Sequence, residues 1–309
     1  MTVLYDTIII GAGHNGLVAA ATLAAGGQRV LVLEQRPALG GVAGAEEAWP
    51  GYYVPTGATD AALLQEEIIR KLDLGRHGLA FAQPPALLFA PQPDGGSLTI
   101  WRDEARTTAE IARLSRHDAE RWPAFRAQVE RVARLLSGML LLAPPDLSAL
   151  RGGDLKGWAP LALRLKRLGD ADMMELMRIL PMAVRDYLGE WFESDVLKGA
   201  LGGSAVVGAT LGPRGAGTNL GFLYQNLGGL LQVRPVAGGM GALAAALAAA
   251  ARARGAEIRT GAAVERILIE GDLEPVAAGV VLHSGETIRA GFVLSNADPR
   301  RTLFDLVGP

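Results

Sequence analysis

At 309 residues the chain is long enough for one large domain or two smaller ones, each able to bury a core of its own. Half the residues are hydrophobic and 20% are charged, a globular composition, and the net charge of −2 leaves no electrostatic footprint for nucleic acid. Cysteine is absent, which rules out a disulfide framework, a thiolate metal site and a dithiol redox pair. Any redox chemistry must therefore ride on a bound cofactor.

His14, His77, His117 and His283 lie far apart without ligand-like spacing, so no metal site is expected, and surface positions suit most of them. No run of strictly apolar residues reaches the ~18 needed to span a bilayer. Met1 leads directly into the first strand with no signal peptide, and the expected location is cytoplasmic.

Tyr5 to Ile10 is a β-branched run suited to a strand buried on both faces of a parallel sheet. It enters Gly11-Ala-Gly-His-Asn-Gly16, then an alanine-rich helical stretch from Leu17 to Ala25, and Arg29 to Glu34 is a second strand. Strand, glycine loop, helix and strand make a right-handed βαβ crossover. Gly11 permits the tight turn, Gly13 lets the backbone approach a diphosphate, and Gly16 allows helix and strand to pack closely. The helix N-terminus presents N–H groups and partial positive charge to an anion. His14 and Asn15 lie inside this loop. Glu34, about 20 residues beyond the loop, can accept hydrogen bonds from a ribose 2′-OH and would repel a 2′-phosphate.

The fingerprint is shared by FAD and NAD proteins. Gln35 and Arg36 give a charged turn after Glu34, followed by the pair Gly40-Gly41. That pair suits either a close pass beside a long cofactor or an ordinary surface turn.

Gly11-Ala-Gly-His-Asn-Gly-Leu-Val-Ala-Ala20, Leu33-Glu-Gln-Arg36 and Leu39-Gly-Gly41 resemble the opening of the phytoene (carotenoid) desaturase-like FAD-dependent oxidoreductases. His14-Asn15, Glu46-Glu47 and Pro50-Gly51-Tyr52 are most similar to the branch named for pyridine nucleotide-disulfide oxidoreductase domain-containing protein 2. Similarity runs on through Leu72 to Leu79, Trp191 to Ser194, Arg234 to Met240 and Leu294 to Pro299.

The resemblance implies an α/β fold in which a Rossmann-type FAD-binding domain is interleaved with an α+β substrate domain. Residues 1–80 would start the FAD domain, 81–232 would form a largely helical substrate domain, and 233–309 would return to the FAD domain. It also implies an FAD cofactor and a lipophilic small-molecule substrate oxidised at a C–H bond. Backbone at Val264 would lie against the adenine. Relatives continue beyond the point matching Pro309, so the chain reads as a truncation, a split gene or a fragment, with a C-terminal half as a candidate partner. Two alternatives stay open: an NAD-dependent dehydrogenase with a single Rossmann domain, and a nucleotide-binding half without activity of its own. No catalytic acid or base stands out.

Further along, Ala86 to Ala90 and Ser97 to Trp101 read as a strand pair joined by a Pro-Asp-Gly-Gly turn. One helix is expected from about Thr107 to Leu142, and a helical region from Leu161 to Lys198 broken near Pro181, with breaks at Pro144-Pro145 and Arg151-Gly-Gly153 between them. Met139 to Leu142, Met173, Met174 and Met177 either fill core gaps, the preferred reading, or line a lipophilic pocket. Peripheral membrane contact is a further option.

Gly215 to Gly221 reads as a loop rather than a second nucleotide fingerprint, because no clean strand precedes it and its glycine spacing is wrong. A helix from Met240 to Arg254 follows Gly238-Gly239. Strands are then expected at 255–260, 264–270, 276–282 and 287–290, with a separate buried strand at Phe292 to Ser295.

Overall fold

A computed structural model describes residues 5–140, 142, 158–271 and 273–308. The chain divides into two units, Met1–Gln83 with Arg234–Pro309, and Pro84–Val233.

The first unit is α/β. β1 (Tyr5–Ile10) leads into α1 (His14–Ala25), and β2 (Val30–Leu33) follows. A hairpin of β3 (Ala45–Trp49) and β4 (Tyr52–Pro55) precedes α2 (Glu66–Leu72). After the second unit the chain returns as α9 (Met240–Ala253), β7 (Glu257–Arg259), β8 (Val264–Glu270), β9 (Val276–Leu282) and β10 (Thr287–Ser295). The sheet order is β7-β2-β1-β10-β9-β8. β1 pairs in parallel with both β2 and β10, β2 pairs in parallel with β7, and β8, β9 and β10 form an antiparallel meander.

β1 is central and its apolar run is continuous because both of its faces are covered. Ile9, Val30 and Val32 share one core with Leu17, Ala20, Ala21 and Ala24 of α1 and the alanines of α9. Ile8, Ile10, Leu31 and Leu33 share another with Val264, Val280 and Ile288 of the meander. Alanine suits α1 and α9 because the two helices pack against each other, and it favours helix strongly.

β10 differs from expectation. It is one nine-residue strand, and Phe292 in it is 72% exposed rather than buried. Its pairing explains why: β9 runs beside β10 only at Thr287–Arg289, and from Ala290 onward the pairing is with β1.

The second unit begins with a hairpin of β5 (Ala86–Pro91) and β6 (Ser97–Trp101). Helices α3 (Glu104–Ala112), α4 (Arg116–Ser137), α5 (Ala159–Ile179), α6 (Val184–Gly189), α7 (Asp195–Gly202) and α8 (Thr218–Gln225) follow. The single helix expected from Thr107 is two: Ser115 is extended and caps α4, its hydroxyl accepting from the Asp118 N–H. The expected breaks at Pro144-Pro145 and Arg151 to Gly153, and Leu141, lie outside the described residues.

Gly215 to Gly221 is only partly a loop. Gly217 takes φ +82°, and α8 starts at Thr218 with Thr218, Asn219, Phe222 and Leu223 buried. Apolar burial at helical spacing outweighs the glycines there. Phe125 lies at the centre of this unit's core, 4.8 Å from Phe192 and 5.5 Å from Trp191 in edge-on contacts. Met174 and Met177 are 74% and 66% exposed, so they are not core residues; Leu176 and Ile179 carry the buried face of α5. No helix among the described residues is long and apolar enough to cross a membrane.

Candidate functional site

A cleft of about 490 Å³ opens at the carboxyl ends of β1 and β2 in the first unit. This is where open parallel sheets bind ligands. Its walls include Gly11, Gly13, His14, Asn15, Glu34, Gln35, Arg36, Gly41 and Val264. Gly16 and Gly40 are not among its lining residues.

The loop is held from both sides. Gly11 takes φ +95°, and its N–H donates to the Leu33 carbonyl at 2.7 Å. A Cβ at Gly16 would stand 2.2 Å from the Gly11 carbonyl oxygen, so only glycine allows α1 to start this close to β1. Gly40 forms a parallel bridge with Gly13, and its N–H donates to the Ala12 carbonyl at 2.9 Å. The Gly40-Gly41 pair is thus part of the cleft and not a detached surface turn.

Glu34 is buried, and each of its carboxylate oxygens accepts one main-chain N–H. One oxygen accepts from the Ala12 N–H at 2.8 Å and the other from the Arg36 N–H at 3.0 Å. Each oxygen keeps lone pairs for a further donor such as a ribose hydroxyl. Its backbone carbonyl accepts from Ala262 at 2.9 Å, which brings the approach to β8 and Val264 to the cleft wall. Across the mouth, the Arg301 guanidinium donates to the Gln35 side-chain oxygen at 3.3 Å, while Arg36 pairs with Glu46 at 3.5 Å.

The N-cap of α1 is Gly13, with no side-chain cap, and the first intrahelical bond runs from Leu17 to the Gly13 carbonyl. The N–H groups of the first turn are therefore available to an anion, reinforced by the helix dipole. His14 stands at this end, and partial burial lowers its pKa by disfavouring the charged ring. The arrangement fits the diphosphate and ribose of a dinucleotide. An unspent helix N-terminus faces a cradle whose glycines leave room for phosphate, and a buried carboxylate stands one strand away.

Asn296, Asp298 and Arg301 also line the cleft and were not singled out from the sequence. They lie within or just after the Leu294 to Pro299 motif, which carried resemblance but no chemical signal of its own. Outside the cleft, His117, Asp118 and Glu193 of the second unit bring one potential ligand atom each within 4.8 Å. The sequence spacing does not suggest that cluster. The Asp118 carboxylate is already occupied by the N–H groups of Glu193 and Ser194, at 2.8 and 2.9 Å.

Residues 9–65 match the family model of an NAD(P)-binding Rossmann-like domain. The chain is 34% identical over 320 residues to pyridine nucleotide-disulfide oxidoreductase domain-containing protein 2 of Rattus norvegicus, covering 98% of this chain and 55% of that protein. It is 33% identical to the hydroxyneurosporene desaturase of Cereibacter sphaeroides, covering 97% of this chain and 58% of that protein. Among solved structures, a protein of Pyrococcus furiosus superposes with a TM-score of 0.57 at 17% identity, covering 98% of this chain and 61% of that one, which speaks to the fold. The chain spans about half the length of the curated relatives it matches. With the Rossmann cleft in place and a third of its residues shared along almost its whole length, the chain belongs to the phytoene desaturase-like FAD-dependent oxidoreductase family.

Proposed function

We propose that this chain is the nucleotide-binding portion of an FAD-dependent oxidoreductase of the dehydrogenase or desaturase type, acting on a lipophilic small molecule. The observation that carries this reading is the cleft itself: an uncapped α1 N-terminus, the glycine loop and Glu34 meet at the switch between β2-β1 and β10. In this reading residues 1–80 and 233–309, which nearly coincide with the first unit, are the cofactor domain, and residues 81–232 form the substrate domain. Exposed Leu163, Met174 and Met177 on α5 support a lipophilic ligand. A cytoplasmic location belongs to the same proposal.

When bound, FAD would supply the two-electron acceptor for a hydride from a substrate carbon, with the neighbouring carbon's proton passing to solvent and O₂ or a quinone as the final oxidant. The protein's part is binding and orientation. The first-turn N–H groups of α1 hold the diphosphate, and Glu34 receives ribose hydroxyls while keeping the loop in place. Gly40-Gly41 gives passage to the far part of the cofactor. None of the residues described here is assigned to proton transfer.

A nicotinamide dinucleotide in the same cleft is the second reading, favoured by the match over residues 9–65. The test is the visible spectrum of the purified chain before and after incubation with FAD and desalting. Flavin bands that survive desalting support the first reading. A colourless chain that takes up NAD in a calorimetric titration would replace it with the second, and a chain that retains neither would sink both.

A further inference from the structure

Asn296 follows β10, and its N–H donates to the Ile10 carbonyl at 2.8 Å, which sets it beside the glycine loop at the top of β1. Its side chain lies across all three loop glycines. The Asn296 Cβ is 3.7 Å from where a Gly11 Cβ would stand, and its Nδ2 is 2.9 Å from the Gly13 position and 3.3 Å from that of Gly16. The residue is half-buried and lines the cleft. Its neighbours are tied down: the Ser295 and Thr302 hydroxyls share a hydrogen bond of 2.7 Å, and the Arg300 N–H donates to the Asp298 carboxylate at 2.8 Å. Its own amide has no hydrogen-bond partner among the described residues.

A side-chain amide placed on a phosphate-sized cradle, on a segment held rigid, and with its N–H groups unspent has the attributes of a ligand donor. Other donors on the cleft wall are the first-turn N–H groups of α1 and the Arg36 and Arg301 side chains. An added donor beside them serves an anion and would be unfavourable for a cation. We infer that Asn296 donates its Nδ2–H to the diphosphate of the dinucleotide, gripping it from the β10 side while α1 grips it from the other. This rests on the nucleotide reading above.

Two substitutions separate donation from packing. Asn296→Asp keeps the shape and reverses the chemistry, whereas Asn296→Ala removes both. Binding is read from quenching of FAD fluorescence, with ADP as a competitor and apo thermal midpoints as the folding control. A donor role makes Asn296→Ala roughly tenfold weaker and Asn296→Asp weaker still, roughly a hundredfold, since a hydrogen bond to a charged group is lost and a repulsion added. A packing role gives the opposite order, with Asn296→Asp near wild type and Asn296→Ala impaired, and that order would overturn the inference. Two silent substitutions would overturn it as well. Should Asn296→Ala not fold, the shape-conserving Asn296→Asp decides alone. A wild-type chain that binds neither FAD nor ADP would remove the nucleotide reading first, a different failure from wild-type binding that ignores position 296.

Discussion

The Glu34 carboxylate accepts the backbone N–H of Ala12 at 2.8 Å, so the acidic end of β2 and the first turn off β1 are fastened to each other before any ligand arrives. Replacing Glu34 by Gln would put an NH₂ group against one of two N–H donors, Ala12 or Arg36. Losing one charge-assisted bond at a buried site costs about 1.5–3 kcal/mol. FAD or ADP affinity should fall roughly tenfold to a hundredfold. Calorimetric titration of Glu34→Gln against wild type checks this, and unchanged affinity would detach Glu34 from binding.

Gly16→Ala should damage both fold and site. Its Cβ would stand 2.2 Å from the Gly11 carbonyl oxygen, and backbone must move to relieve the overlap. Overpacking of this kind costs roughly 1–3 kcal/mol. A lower thermal midpoint and loss of flavin retention are expected together. A variant as stable as wild type would mean that α1 can shift away from β1.

The half-buried imidazole of His14 makes stability depend on pH in a definite direction. Its folded pKa lies below the unfolded value of about 6.5. The unfolded chain therefore binds the proton more readily, so this contribution is complete above about pH 6.5 and declines as pH falls through the lowered folded pKa. His14→Gln should flatten that part of the stability profile. Denaturation midpoints across mildly acidic pH would show it, and parallel profiles for variant and wild type would refute it.

Asp118 is fully buried and joins the start of α4 to the start of α7 through the N–H groups of Glu193 and Ser194. Asn at this position turns an acceptor into a donor facing an N–H. Asp118→Asn should lose about 1–3 kcal/mol, seen as a lower urea midpoint at unchanged slope. With both oxygens engaged, EDTA or added zinc should leave the wild-type midpoint unmoved, and a zinc-dependent rise would reassign His117, Asp118 and Glu193 as ligands.

The N-terminal βαβ unit was legible because each of its constraints leaves a local mark. Buried parallel strands read as β-branched runs, the loop needs glycine, and the carboxylate falls at a set distance. The wall formed by Asn296, Asp298 and Arg301 was not legible, because an Asn in a turn looks the same whether or not it faces a ligand. Only the pairing of β10 with β1 brings residue 296 to residue 13, and that pairing is long-range. Phe292 misled for a related reason: an apolar strand pattern says nothing about which neighbour stops short. Around Gly217 the error ran the other way, local glycine signals hiding a helix whose buried face is set by tertiary packing.

β1 is made among the first ten residues, yet one of its two strand partners, β10, is synthesised only after the whole Pro84–Val233 unit. At ribosomal speeds of about 5–20 residues per second, the nascent chain waits on the order of ten seconds or more with its central strand half-paired. During that interval Ile8 and Ile10 lack the meander that later covers them. A chaperone holding the emerging β1 segment would guard its uncovered side, and completion of the nucleotide cleft becomes a late event that waits for β10.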